Sequence, residues 1–153
     1  MNKEIELHII ATYQGKEYEL ENLLNGLLNK LEEKDNEIER LNNIIDELEK
    51  WLKEETLRVF DDRYVYIFNH YDENIKSPIL KIRNMKTRWG VYNRANHTIT
   101  LNAKLIEFDY EKIDYVIIHE LSHIKHFDHS KAFWDLVGKY CKNYKQIRKE
   151  MKD

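Results

Sequence analysis

Residues 110–130, YEKIDYVIIHELSHIKHFDHS, decide how this chain is read. The stretch carries four of the seven histidines. At about 100° per residue, a helix over 110–127 places Ile113, Ile117, Leu121 and Ile124 on one stripe. Tyr115, His119, His123 and His126 fall on the stripe roughly opposite. Val116 and Ile118 flank it, so the helix is apolar nearly all round, and that predicts burial. A buried helix does not carry several imidazoles without partners, because each unpaired buried polar group costs free energy. A metal ion is the simplest partner.

The spacing supplies the geometry. His119 and His123 are four apart and project from one helix face. Two imidazoles so placed can share one zinc at about 2.0–2.1 Å. Glu120, inside the His-Glu-x-x-His pattern, is placed to reach a water at that metal and act as general base. A catalytic zinc needs a third protein ligand and an open position. His126 lies in line with the first two, about 10 Å along the axis from His119, and a third ligand in that line cannot complete a tetrahedron. Glu150 stands three residues from the end of the sequence, a poor place for a rigid ligand. His129 follows His123 after five intervening residues, beyond the expected helix end, and is taken as the third ligand of a single zinc. His126 is expected to be structural. Metzincins share this histidine spacing, but His126 occupies the place of their glycine and no Met-turn follows.

The flanking sequence predicts further elements. Asp109 is a good N-cap with Glu111 in the first turn. Ser130 or Asp128 caps a second helix, KAFWDLVGKYC (131–141), whose Phe133, Val137 and Cys141 read as core. The basic C-terminal stretch, 142–153, reads as a solvated helix or tail. Pro78, the only proline, opens a β region. ILKIR (79–83) alternates as a half-buried strand does, and TRWGVYN (87–93) with HTITLN (97–102) reads as a hairpin.

Upstream, Leu24, Leu31, Ile38, Ile45, Leu52 and Val59 recur every seven residues, with Leu27, Leu41 and Leu48 between them. This is a heptad seam, interrupted by Lys34 and Glu55. KDN (34–36) also suits a turn, so 21–71 fits one long helix or a helical hairpin. The seam suits a homodimer through residues 24–59. The favoured expectation is that it lies on its own domain, because polar breaks weaken an isolated coiled coil. Residues 3–20 read as a short β-hairpin with Gly15 in the turn. The whole is expected to form one domain, 1–153: a hairpin over 1–20, helix over 21–71, then sheet and zinc-binding helices over 72–153.

Composition narrows the partners. A net charge of −3 gives no global field toward nucleic acid or membrane. With Cys141 as the lone cysteine, no intramolecular disulfide forms, which suits a reducing cytoplasm. The first residues show no secretory h-region. No apolar run approaches the roughly 20 residues a membrane span needs. A cytoplasmic protein is expected.

KTRWGVYNRANHTITLNAKLI (86–106) followed by IDYVIIHELSHIKHFDHSKAFW (113–134) resembles the YgjP-like family of zinc metallopeptidases. More distantly it is similar to the SprT-like and Wss-type proteases. The likeness covers about residues 48–145. It implies an α+β, zincin-like fold, in which a small antiparallel or mixed sheet packs on an active-site helix. It also implies His119, His123 and His129 as zinc ligands, Glu120 as the catalytic carboxylate, and a peptide or protein substrate. By the same analogy one of the strands TRWGVYN and HTITLN docks the extended substrate. Arg88 and Trp89 either shape the cleft or, for the Trp, fill the core. Tyr92 and Tyr140 are the candidate second stabilisers of the reacting oxygen. Two departures stand out: Val91 and Tyr92 follow Gly90 where the family usually has Ser-Cys, and the family's longer N-terminal β region is reduced to residues 3–20. The same residues also suit two rival readings, a non-catalytic zinc module working through the heptad helix and a zinc hydrolase of non-peptide amides.

Overall fold

The structure is a computed structural model and describes residues 10–13 and 16–151, with side chains from residue 22 onward. The chain divides into two compact units, Met1–Trp51 and Leu52–Asp153.

In the first unit, β1 (Ile10–Tyr13) and β2 (Lys16–Glu19) pair antiparallel, with Tyr13 opposite Lys16. The expected hairpin is therefore present over these strands, while residues 3–9 and the Gly15 turn lie outside the described residues. Helix α1 runs unbroken over Leu20–His70, 51 residues. It contains no proline, a single glycine, and many Leu, Glu and Lys residues with good helix propensity. KDN is helical, so the long helix holds and the helical hairpin does not. The expectation that the seam packs on its own domain is corrected over residues 24–52. Leu24, Leu31, Ile38, Ile45 and Leu52 are 47–57 % exposed.

The second unit opens on the last turns of α1. There Thr56, Val59, Phe60, Tyr64 and Ile67 are buried, followed by Tyr71. Three strands form one mixed sheet: β3 (Ile79–Arg83), β4 (Gly90–Asn93) and β5 (Thr98–Asn102), in the order β3-β5-β4. β5 is central, parallel to β3 and antiparallel to β4. That position buries Thr98, Ile99, Leu101 and Asn102. In β3 the alternation is as expected: Leu80 and Ile82 turn inward while Ile79, Lys81 and Arg83 are exposed.

A 3₁₀ turn (Ala103–Glu107) leads to α2 (Tyr110–Ser122), whose first turn is capped by Asp109, accepting the Lys112 N–H at 3.0 Å. Helix α3 (Lys131–Tyr140) is capped by Ser130, and α4 (Tyr144–Glu150) closes the described chain. The core is built from Phe60 of α1, Ile99 and Leu101 of β5, Ile113, Ile117 and Leu121 of α2, and Phe133 and Val137 of α3. Burial of this apolar layer is the main favourable contribution of its kind to folding. The helix expected over 110–127 is shorter than its pattern. It ends at Ser122, with His123 as C-cap, because Ile124 and Lys125 donate to carbonyls three residues back and tighten the last turn.

Two polar ties fix the helices. Arg63 of α1 pairs with Asp114 of α2 at 2.5 Å. Glu73 accepts from Lys125 at 2.5 Å, Lys139 at 2.7 Å and Tyr140 at 3.1 Å. Among the described residues no helix is long and apolar enough to cross a membrane.

Candidate metal centre

The site is assembled where β4 lies against α2. Asn102, buried at the end of β5, anchors the loop that feeds β4. Its amide donates to the Met85 and Arg88 carbonyls at 2.9 and 2.8 Å. Its side-chain oxygen accepts from the backbone N–H of Met85 and of Lys104. All four hydrogen-bonding positions of this buried amide are used. The loop then delivers Gly90 flush against α2. A Cβ there would stand 2.8 Å from Glu120 Cγ and Oε1 and from Val116 Cγ1, so only glycine fits.

Glu120 is 5 % exposed. Burial pushes its carboxyl up to about 7, against the opposing pull of the Tyr92 backbone N–H and the Arg88 charge. A carboxylate near neutral basicity suits a general base working around pH 7.

His119, His123 and His129 offer ligand nitrogens that all lie within 4.8 Å of one another. The body of α2 supplies His119, its C-cap supplies His123, and the turn before α3 returns His129. His119 Nε2 stands 3.2 Å from His129 Nε2. His123 Nδ1 bonds the His126 carbonyl at 3.1 Å, which leaves its Nε2 for a ligand. His119 Nδ1 is buried without a hydrogen-bond partner, so Nε2 is the only engaged atom of that ring. Burial, reinforced by the neighbouring imidazoles, holds His119 down to about 3, and burial lowers His123 as well. Neutral imidazoles are the form a metal requires. Two donors on one zinc, each at about 2.0–2.1 Å, stand about 3.3 Å apart at the tetrahedral angle. Donor type, protonation and spacing therefore fit zinc. Phe133 underlies the group, its ring centroid 4.5–4.9 Å from those of the three imidazoles.

The cluster opens into a cleft of about 540 Å³. Gly90, Val91 and Tyr92 of β4 form one wall, and Arg148 of α4 enters the lining. Trp89 is partly buried at the margin of the core rather than within it. It lines the cleft, packs edge-on against Phe108 at 5.0 Å, and donates its indole N–H to the Met151 carbonyl at 3.2 Å. Arg88 also lines the cleft.

Other candidates are engaged elsewhere. The Tyr92 hydroxyl meets His97 Nδ1 at 2.9 Å, and the Tyr140 hydroxyl donates to Glu73. Glu150 pairs with Lys112 at 3.3 Å. Cys141 is core, its thiol pushed up to about 11 by burial. His126 takes part through its backbone carbonyl. Sequence reasoning missed Arg148 and Tyr115 as cleft residues. Arg148 sat in a stretch read as solvated charge, and only the return of α4 brings it to the site, its guanidinium 4.6 Å over the Trp134 ring.

A small mixed sheet on a histidine-bearing helix, opening to a cleft beside an edge strand, is the arrangement of zincin-like metallopeptidases. Solved structures bear this out. The metallopeptidase zymogen abylysin of Pyrococcus abyssi superposes with a TM-score of 0.54 at 25 % identity, covering 60 % of this chain and 90 % of that one. The zymogen jannalysin of Methanocaldococcus jannaschii gives 0.53 at 29 % identity, covering 60 % and 92 %. Within that class the chain belongs to the YgjP-like metallopeptidase family, whose domain description matches residues 2–153. It is also 38 % identical over 60 residues to a protease HtpX homolog of Halobacterium salinarum. That alignment covers 37 % of this chain and 21 % of the relative's length.

Proposed function

We propose that this protein is a zinc-dependent peptidase, with one zinc held by His119, His123 and His129 and with Glu120 as general base. The observation that carries the reading is the convergence of three imidazole nitrogens beside a buried carboxylate. Family membership and the metallopeptidase neighbours support it.

A bound zinc supplies Lewis-acid polarisation of the scissile carbonyl and acidifies an attacking water. The chain's own groups do the rest. Glu120 accepts the proton of the attacking water and passes it to the departing amine nitrogen. The Gly90–Glu120 contact fixes the carboxylate, and the His126 carbonyl fixes the His123 ring. Between the two strands considered for substrate docking, the topology favours β4. β5 has both edges paired, whereas β4 is an edge strand among the described residues and lines the cleft. An extended peptide can add to it through backbone hydrogen bonds.

The test is zinc per chain and peptide hydrolysis, measured together. Wild type should bind about one zinc after chelation and reloading, and His129→Ala should lose most of it. Glu120→Gln should keep the zinc and lose about 10²–10⁴-fold in rate. Full zinc in His129→Ala, or full activity in Glu120→Gln, would refute the assignment.

A further inference from the structure

The seam of α1 is used twice. From Thr56 onward its apolar residues are buried in the second unit. From Leu24 to Leu52 the same stripe is about half exposed at every apolar position. The flanking Leu23, Leu28, Ile44 and Trp51 widen it and are 49–60 % exposed. Uncovered apolar surface of this extent marks an interaction site.

We propose that residues 24–52 form a parallel, in-register two-stranded coiled coil with a second copy of this chain. Three observations single out that occupant. First, the heptad assigns Leu24, Leu31, Ile38, Ile45 and Leu52 to a, and Leu27, Lys34, Leu41 and Leu48 to d. Isoleucine at a over leucine at d, as in 38–41 and 45–48, is the combination that favours two strands.

Second, the charges match a second copy in one orientation. In a parallel pair each g residue faces the e residue five positions on in the partner. Lys30 then faces Asp35, Leu23 faces Leu28, and none of the g-to-e pairs joins like charges. The two Lys34 side chains share one layer, and each packs beside the other copy's Asp35, since a d side chain inserts next to the facing e position. Reversing one helix puts d opposite a. Each Lys34 would then face an apolar Ile38 or Ile45 in the layer and lose the neighbouring Asp35 of the other copy.

Third, the area suffices. Burying a Leu or Ile contributes about 1.5–3 kcal/mol at about 25 cal/mol per Å², equivalent to roughly 60–120 Å² each. A dozen half-exposed side chains then offer about 700 Å² per helix, close to the roughly 800 Å² per partner of a stable interface.

The inference stands apart from the zinc reading, and its test keeps them apart. The full chain, at micromolar concentration and with or without chelator, should run in light scattering at twice its monomer mass. Ile38→Asp with Leu41→Asp should halve that mass while zinc content and far-UV helicity per chain are retained within about a tenth. Leu27→Cys and Leu48→Cys, made separately, should each give an oxidised covalent dimer, with wild type, whose lone Cys141 is buried, as the negative control. An antiparallel pair cannot bring both positions onto themselves. A monomeric wild type, a trimer or tetramer, a dimer that survives the double aspartate, or cross-linking at only one cysteine would each overturn the proposal.

Discussion

The contact between Gly90 and Glu120 gives the sharpest test of how the site is held. In Gly90→Ala the new methyl would lie 2.8 Å from two atoms of Glu120 and from Val116 Cγ1. Ordinary contact begins at 3.4 Å, so something must move by at least 0.6 Å. Val116 is buried within α2 and β4 is hydrogen-bonded to β5, so the carboxylate yields most easily. Overpacking of this kind costs about 1–3 kcal/mol. A displacement near 1 Å at a reacting group costs up to about 10²-fold in rate. We therefore expect kcat to fall about 10–100-fold with zinc content unchanged, alongside a lower Tm. The assay is steady-state hydrolysis of a peptide library pool, with metal analysis and calorimetry on the same preparation. Gly26→Ala is the control, since its Cβ would meet nothing within 4 Å, and it should leave kcat untouched. A Gly90→Ala protein with wild-type kcat and Tm would refute the argument that this backbone approach positions the base.

Other expectations follow from the polar ties. Asn102→Ala strips the 85–88 loop of its anchor; at about 1 kcal/mol per lost bond and with carbonyls left unpaired, about 2–3 kcal/mol should go, read as a Tm drop of about 5–10 °C. Hydrogen bonds from Lys125 and Lys139 hold Glu73 down to about 2, from an ordinary value of 4.5. A carboxyl depressed in this way stabilises the fold above its ordinary value and loses that contribution as pH falls toward the folded one. Glu73→Gln should therefore be less stable than wild type at pH 7, by about 1 kcal/mol given its partly exposed lysines. The difference should close between pH 4.5 and 2, as urea midpoints across that range would show; a constant gap would count against the ion cluster.

What could be read from sequence was local. The caps Asp109 and Ser130, the strand alternation in 79–83 and the i,i+4 histidines each depend on residues close in the chain, and each stands in the structure. The end of α2 was misread because the apolar-and-histidine period continues past Ser122, while the backbone tightens there through bonds that a period does not encode. The central place of β5 and the arrival of Arg148 in the cleft rest on non-local pairing and packing. The heptad was ambiguous for a physical reason. One apolar stripe serves equally to cover a core or to meet another helix, and α1 uses its C-terminal turns for the first.

The two edges of the small sheet are unequal. β3 presents exposed Lys81 and Arg83 along its margin, and charges of this kind resist the addition of a foreign strand. β4, with Gly90, Val91, Tyr92 and Asn93, has no such guard. The margin proposed to take substrate is therefore also where misassembly can start. Concentrated protein should precipitate through its own cleft, and an uncleavable peptide seated there should act as a solubility agent, raising the concentration at which the solution turns cloudy.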